Sequence, residues 1–235
     1  DWSSDVCSSD LNEIAQSEAA TGKPYAKSWL HCGMITINGE KMSKSLGNFF
    51  TIREVLEKYH PEVVRYLLIA SHYRSPINYS EENLREAKAA LDRFYNALKG
   101  LPEAAPAEAA EYVERFAAAM DDDFNTAGAC SVLFELAREV NRLRESDLSA
   151  AAALAARLKQ LAGLLGVLQL EPEAFLQAGA EGKVDAAEVE ALIQARLEAR
   201  AAKNWAESDR IRDQLTAMGV VLEDGKGGTT WRLAD

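Results

Sequence analysis

Positions 41 to 45 read Lys41-Met42-Ser43-Lys44-Ser45, with Leu46 and Gly47 behind them. Two ammonium groups and two hydroxyls therefore fall within five residues, ahead of a glycine. A lysine ammonium is a compact point charge with three donors, suited to a phosphate chain that changes shape as it reacts. Ser43 and Ser45 add short-range donors, and Gly47 lets the backbone turn where a side chain would clash. A solvated surface loop could carry the same letters. The apolar Met42 and Leu46 interleave with the polar residues, however, and would pin the loop to the body at two points. Such a loop is anchored yet able to close, as a phosphate clamp must be. A second candidate lies towards the other end of the chain. There Arg196, Arg200 and Lys203 share one face of a helical pattern, Trp205 follows its end, and Gly225-Lys226-Gly227-Gly228 makes a glycine-rich turn. Aromatic rings stack on unpaired bases while charged groups read base edges, so these residues could recognise single-stranded nucleic acid. The same tryptophan could equally fill the core of a small domain, with the charges as mere surface.

The elements that must hold these groups follow from local pattern. Asn38-Gly39 lies between β-prone arms at 34–37 and 40–42, which predicts a hairpin with a type I′ turn as the rigid base of the lysine stretch. His31, beside Trp29 and Leu30, reads as a structural residue. Thr51-Ile52-Arg53-Glu54 is a capping box opening a helix through about Tyr59. Pro61 sits in the first turn of another, 62–70, with Val63, Val64, Leu67 and Leu68 as a core stripe. His72, Tyr73 and Arg74 fall in the connector that follows. From Ser80 the pattern is helical, with Leu84, Ala87, Leu91, Phe94, Tyr95 and Leu98 at helical spacing. Further helices are expected over 108–120, 126–143 and 150–170, the last with Leu154, Leu158, Leu161, Leu164, Leu165 and Leu168 as core positions of a bundle. Asp121-Asp122-Asp123 lacks further ligands at regular spacing and reads as a helix N-cap and charged turn rather than a metal site. Cys130, among apolar helix residues, should be buried and inert. Ranges 100–107 and 172–185 read as linkers. Helices over 188–202 and 206–218, the second with Ile211, Leu215 and Met218 inward, precede strand-like arms at 220–224 and 229–233.

The totals narrow the class. The chain has 235 residues, 48% of them hydrophobic and 27% charged, ordinary values for a globular protein. No apolar run reaches membrane-spanning length and no secretory signal is evident, so a cytoplasmic protein without a membrane partner is expected. Cys7, Cys32 and Cys130 are scattered, which fits neither a disulfide framework nor a metal knuckle. A net charge of −11 argues against non-specific nucleic-acid binding, which rests on a basic surface. An RNA partner would have to be held by local basic patches, with shape and base contacts supplying specificity.

The Lys41–Ser45 stretch resembles, letter for letter, the signature loop of class I aminoacyl-tRNA synthetases. Glu13-Ile14-Ala15-Gln16-Ser17-Glu18, Gly47-Asn48-Phe49-Phe50-Thr51 and His72-Tyr73-Arg74-Ser75 with Asn78-Tyr79-Ser80 are similar to cysteinyl-tRNA synthetases in particular. So are Met120-Asp121-Asp122-Asp123-Phe124-Asn125-Thr126, Val221-Leu222-Glu223-Asp224-Gly225 and Thr229-Thr230-Trp231-Arg232. The resemblance runs from about Asn12 to the last residues and corresponds to the C-terminal half of the family's enzyme. It implies a mostly α chain: the end of a class I Rossmann-type catalytic domain with a stem-contact region, an anticodon-binding helical bundle and a small C-terminal α+β domain. The expected divisions are a non-family tail at 1–11, the catalytic remnant at 12–50, the stem-contact region at 51–99, the bundle at 100–171 and the anticodon-recognition domain at 185–235. The implied reaction is ATP-dependent attachment of cysteine to tRNA(Cys) through cysteinyl-adenylate. Lys41, Met42, Ser43, Lys44 and Ser45 would form the ATP site, where Lys44, assisted by Lys41, stabilises charge building on the phosphates together with Mg²⁺. Arg200, Trp205, Asp209 and Asp224 fall where the family contacts the anticodon, and the neck at His72–Arg74 would face the RNA stem.

In that family a glutamate at the position of Glu13, a histidine four residues earlier and two upstream cysteines hold a zinc ion that grips the substrate thiolate and discriminates cysteine from serine. Here the fourth residue before Glu13 is Ser9, and Cys7 and Cys32 do not fall at the ligand positions. Glu13 is therefore expected to be a lone remnant with no bound zinc, a helix N-terminal carboxylate in a capping box with Asp10. Residues 1–11, with Ser-Ser-Asp twice, do not resemble the family and read as an artefact marking a lost first half, contributing nothing to function. The fragment is then expected to be a monomer and inactive alone. Two other readings stand beside this one. The chain could serve only as an RNA-binding module. It could also be a related ligase joining cysteine to an amino-sugar, a family with a similar lysine loop but no use for an anticodon domain.

Overall fold

The computed structural model describes residues 8–41, 51–177, 186–225 and 228–233. The chain divides into two compact units, Asp1–Gly33 and Met34–Asp235. In the first, α1 spans Ser8–Thr21, starting ahead of the expected position 12. Gly22 ends it with φ of 65°, a left-handed conformation that favours glycine, and returns its amide to the Glu18 carbonyl at 2.8 Å. Asp10 lies inside the first turn rather than at the cap, so no capping box joins it to Glu13. Its carboxylate instead meets His31 Nε2 at 2.9 Å, which gives His31 the structural role expected of it. The segment after Gly22 folds back on the helix: the Tyr25 amide donates to Glu18 Oε1 at 3.2 Å, and the Tyr25 and Trp29 rings lie 5.7 Å apart.

The second unit opens with β1 (Ile35–Ile37) and β2 (Glu40–Lys41), antiparallel, with β3 (Ile77–Tyr79) parallel on the other side of β1. Asn38 and Gly39, at φ 50° and 83°, make the expected I′ turn. The turn is braced from across the sheet, where Asn78 Oδ1 accepts from the Gly39 amide at 2.9 Å. Behind it, α2 (Ile52–Leu56) starts on the Thr51–Glu54 capping box, with both reciprocal bonds present, but stops short of Tyr59. In α3 (Pro61–Ile69) the buried stripe is Val63, Tyr66 and Leu67. Leu68, expected inside, is 42% exposed, because one residue beyond Leu67 the helix has turned about 100° away.

Five helices build one core with α3: α4 (Glu81–Leu98), α5 (Ala110–Asp121), α6 (Thr126–Leu143), α7 (Leu148–Leu164) and α8 (Pro172–Gln177). All six expected positions of α4 are buried. In α7, Leu158 and Leu161 are buried, and so are Leu165 and Leu168 just past its end. Leu164 is 74% exposed, since Leu165 completes two turns from Leu158 and its predecessor lies about 100° off that stripe. The helix ends there because Gly166, at φ 72°, turns the chain. Range 172–185 is not simply a linker: α8 occupies its first part, and the buried Phe175 ring stacks on Tyr95 at 4.1 Å. A polar node lies beside that stack. Buried Glu62 accepts from Tyr95 Oη and from the Gln169 amide, both at 2.8 Å, tying α3 to α4 and to the segment after α7. Cys130 is buried as expected, and burial pushes its thiol up to about 11.

The last elements are α9 (Ala186–Ala201), α10 (Trp205–Ala217) and the antiparallel pair β4 (Val220–Gly225) and β5 (Gly228–Leu233). They close over a separate cluster of Val189, Ile193, Ile211, Leu215, Val220 and Trp231.

Candidate functional site

The lysine stretch leaves from the hairpin. Lys41 is the last residue of β2, opposite Thr36 of β1. Met42, Ser43, Lys44 and Ser45 lie outside the described residues. A cavity of about 500 Å³ opens beside the turn, lined by Ile37, Asn38, Val55, Lys58, Tyr59 and Tyr79, with Glu54, Glu81 and Glu82. Three carboxylates against one ammonium make this lining unsuited to a polyphosphate. Glu54 is already committed to its cap: the Thr51 amide, then the Thr51 hydroxyl, hold its carboxyl below the usual carboxylate range.

Glu13 lies on α1, where its Oε2 accepts from Tyr25 Oη at 3.3 Å. Among the described residues no three His, Cys, Asp or Glu side chains converge as a metal ion would require, and Cys32 is exposed. The described residues around Glu13 do not fit a zinc ion.

Two of the candidate base-reading residues, Arg200 and Trp205, flank the junction of α9 and α10. Arg200 lies in the last turn of the first helix and Trp205 opens the second. Between them Lys203 takes φ of 58°, and Asn204 caps α10 by accepting from the Glu207 amide at 3.3 Å. Trp205 is 61% exposed, which excludes it from the core of this domain. Asp209 follows Trp205 by one helical turn, on the same face, exposed and 3.3 Å from the Arg212 guanidinium. Arg196 departs from the expected basic face. It is 7% exposed, because it follows Val189 and Ile193 on the buried side of α9. Asp224 lies in β4, its backbone opposite Thr229.

Two features escape sequence reasoning. The core tryptophan is Trp231, 3% exposed, whose Nε1 donates to Glu190 Oε1 at 2.8 Å. Its alternation with polar neighbours in the last strand could have signalled it. The other is the connector His72–Arg74, which closes on Asp123 at the turn between α5 and α6. Asp123 accepts from Tyr73 Oη at 2.7 Å and from Arg74 Nε at 2.6 Å, with His72 Nε2 at 3.8 Å. Asp123 is therefore not an N-cap; that position belongs to Asn125, whose side chain accepts from the Gly128 amide at 2.9 Å.

Three family models match this chain. One described as "tRNA synthetases class I (C) catalytic domain" matches residues 8–89, a "DALR domain" matches 115–169, and "Cysteinyl-tRNA ligase anticodon binding domain" matches 186–232. Among curated proteins, the chain is 99% identical to the cysteine–tRNA ligase of Pseudomonas paraeruginosa (strain DSM 24068 / PA7) over 224 residues, 95% of this chain and 49% of that protein. It is 82% identical, over the same shares, to that of Ectopseudomonas mendocina (strain ymp) and 80% identical to that of Azotobacter vinelandii (strain DJ / ATCC BAA-1303). The chain thus spans about half the length of the curated relatives it matches. Among the described residues no helix is long and apolar enough to cross a membrane.

Proposed function

This chain belongs to the cysteinyl-tRNA synthetase family, and from that premise we propose that it is the tRNA-handling and phosphate-clamping part of a cysteine–tRNA ligase. The activity is ATP-dependent attachment of cysteine to tRNA(Cys) through cysteinyl-adenylate, in the cytoplasm, with cysteine, ATP and tRNA(Cys) as partners and a monomer as the working state. Identity of 99% over nearly the whole chain carries the reading. The exposed Trp205 beside Arg200 at a helix junction supports its RNA-binding part. In the adenylation step cysteine's carboxylate oxygen bonds to the α-phosphorus of ATP, and pyrophosphate leaves. Lys44, assisted by Lys41, meets the negative charge that grows on the phosphates, with Met42, Ser43 and Ser45 shaping the loop around them. Mg²⁺ carried with ATP shares that charge. In the second step the terminal ribose hydroxyl of the tRNA takes the cysteinyl group and releases AMP. Arg200, Trp205, Asp209 and Asp224 are assigned to the anticodon: an indole to stack on a base, a guanidinium and carboxylates to read edges. Alone, this chain binds no zinc and catalyses no aminoacylation. The amino-sugar ligase reading gives no role to residues 186–232, which match an anticodon binding domain.

The test is titration of the chain with tRNA(Cys) transcripts carrying native and substituted anticodons. The wild type should prefer the native anticodon, and Trp205→Ala should lose most of that preference, a stacked base being worth about 1–3 kcal/mol. Indifference to both changes removes the anticodon assignment. For the clamp, this chain joined to the remaining half of the Pseudomonas paraeruginosa relative would be assayed for pyrophosphate release in a single turnover. Lys44→Ala should slow it by about 10²–10³, as removal of a preorganised donor does. Release at the wild-type rate removes Lys44 from the mechanism.

A further inference from the structure

We infer that Asn78 is a positioning residue for the lysine clamp, acting through the Asn38-Gly39 turn rather than on substrate. The inference rests on the phosphate-clamp reading above and deepens it. The hairpin that carries Lys41 has little to hold it by itself. Its strands have three residues and two, and an isolated two-stranded hairpin is marginal in water. What fixes it lies across the sheet, in β3. Asn78 stands opposite Thr36, which stands opposite Lys41, so the three form one row across the strands. From that row Asn78 Oδ1 accepts from the Gly39 amide at 2.9 Å and from the Thr36 hydroxyl at 3.4 Å. The Asn38 amide donates to the Tyr79 carbonyl at 3.2 Å, which secures the first turn residue as well. The strand that offers these acceptors is itself pinned at both ends. Before it, Tyr73 and Arg74 are clasped by Asp123 at the turn between α5 and α6. After it, Ser80 caps α4 by accepting from the Asn83 amide at 3.1 Å, and Asn83 Nδ2 donates to the Asn78 carbonyl at 2.8 Å. One carboxamide therefore passes the rigidity of the bundle helices to the arm from which the lysine stretch leaves. Lys44 follows Lys41 by three residues, so a turn that tilts or slips displaces the ammonium that must meet the phosphates. A misplacement of about 1 Å can cost about 10²-fold in rate.

Two measurements test this. In the full chain, amide hydrogen exchange at Gly39 should quicken about fivefold in Asn78→Ala, the protection that one neutral hydrogen bond gives. Asn78→Asp, which keeps the oxygen acceptor, should stay near wild type. The second measurement uses this chain joined to the remaining half of the Pseudomonas paraeruginosa relative. There Asn78→Ala should slow single-turnover pyrophosphate release about tenfold, with half-saturation in ATP unchanged. Asn78→Asp should recover most of that rate. With Lys44→Ala already in place, adding Asn78→Ala should cost less than about twofold, because the group it positions is gone. A merely structural role would give the same loss in both backgrounds. Four results each overturn this inference and leave the clamp standing: unchanged Gly39 exchange in Asn78→Ala, its release at the wild-type rate, no recovery in Asn78→Asp, or equal losses with and without Lys44. Lys44→Ala releasing pyrophosphate at the wild-type rate overturns the clamp reading and this inference together.

Discussion

Asp123 sits in a run of three aspartates that sequence cannot tell apart, yet only its carboxylate is clasped by the connector, and its partners lie 50 and 49 residues away along the chain. The backbone explains the choice. Asp123 and Phe124 both take left-handed φ, 51° and 54°, at the turn into α6, which spends two strained residues on aiming this side chain. Hydrogen bonds from Arg74 and then from Tyr73 hold the Asp123 carboxyl at about 2, below its ordinary 3.8. The sign follows: a carboxyl depressed by folding contributes stability that is complete above its unfolded pKa and is lost as pH falls through the folded one. The clasp should therefore be intact at neutral pH and open between about pH 4 and 2. A carboxyl-detected NMR titration should place the Asp123 midpoint near 2 in the wild type and well above it in Arg74→Ala. A midpoint that does not move in the variant would show that Arg74 does not set it. The Lys41–Ser45 stretch stands out in the sequence for the opposite reason: its candidate groups are consecutive letters, whereas a clasp across fifty residues is not.

The elements that sequence placed well are those whose ends are fixed locally. The Thr51 capping box, the Asn38-Gly39 turn and the span of α6 each depend on residues within one turn of the boundary, so a short window contains the whole cause. The end of α4 does not. Its last carbonyls are satisfied by Arg144, which follows α6 and donates to the carbonyls of Ala97 and Lys99, both at 2.7 Å, and of Asn96 at 3.3 Å. One fork thereby caps a helix from its neighbour, and burial lowers the guanidinium from its usual range without unmaking it. Arg144→Ala should leave those carbonyls unpaired at a cost of about 2–3 kcal/mol, the scale of hydrogen bonds to a charged group. Arg144→Lys should recover only part of this, because one ammonium cannot span three diverging acceptors. Chemical denaturation of the three proteins checks both statements, and equal midpoints for wild type and Arg144→Ala would show that the cap carries no stability.

At the scale of the molecule, burial sorts the described residues after Gly33 into two apolar clusters that share no side chain. The larger runs from Val63 to Phe175 and the smaller from Val189 to Trp231. Sequence pattern marks a boundary between them at 172–185 but extends it over α8, since a six-residue helix with one aromatic carries too little periodicity to register. The smaller cluster closes over few side chains, and small cores leave little margin over conformational entropy. It should melt first, and by itself. Calorimetry of the chain should show two transitions, with Leu215→Ala, a fully buried position in the smaller cluster, lowering only the earlier one. Leucine truncation in a core costs about 2–5 kcal/mol, enough to separate the two clearly. Leu133→Ala, its counterpart in α6, should lower only the later. The consequence reaches the proposed function: a chain held between the two transitions would lose the Arg200–Trp205 junction, so any residual RNA binding should no longer distinguish anticodons. A single transition that both variants shift together would mean the clusters fold as one.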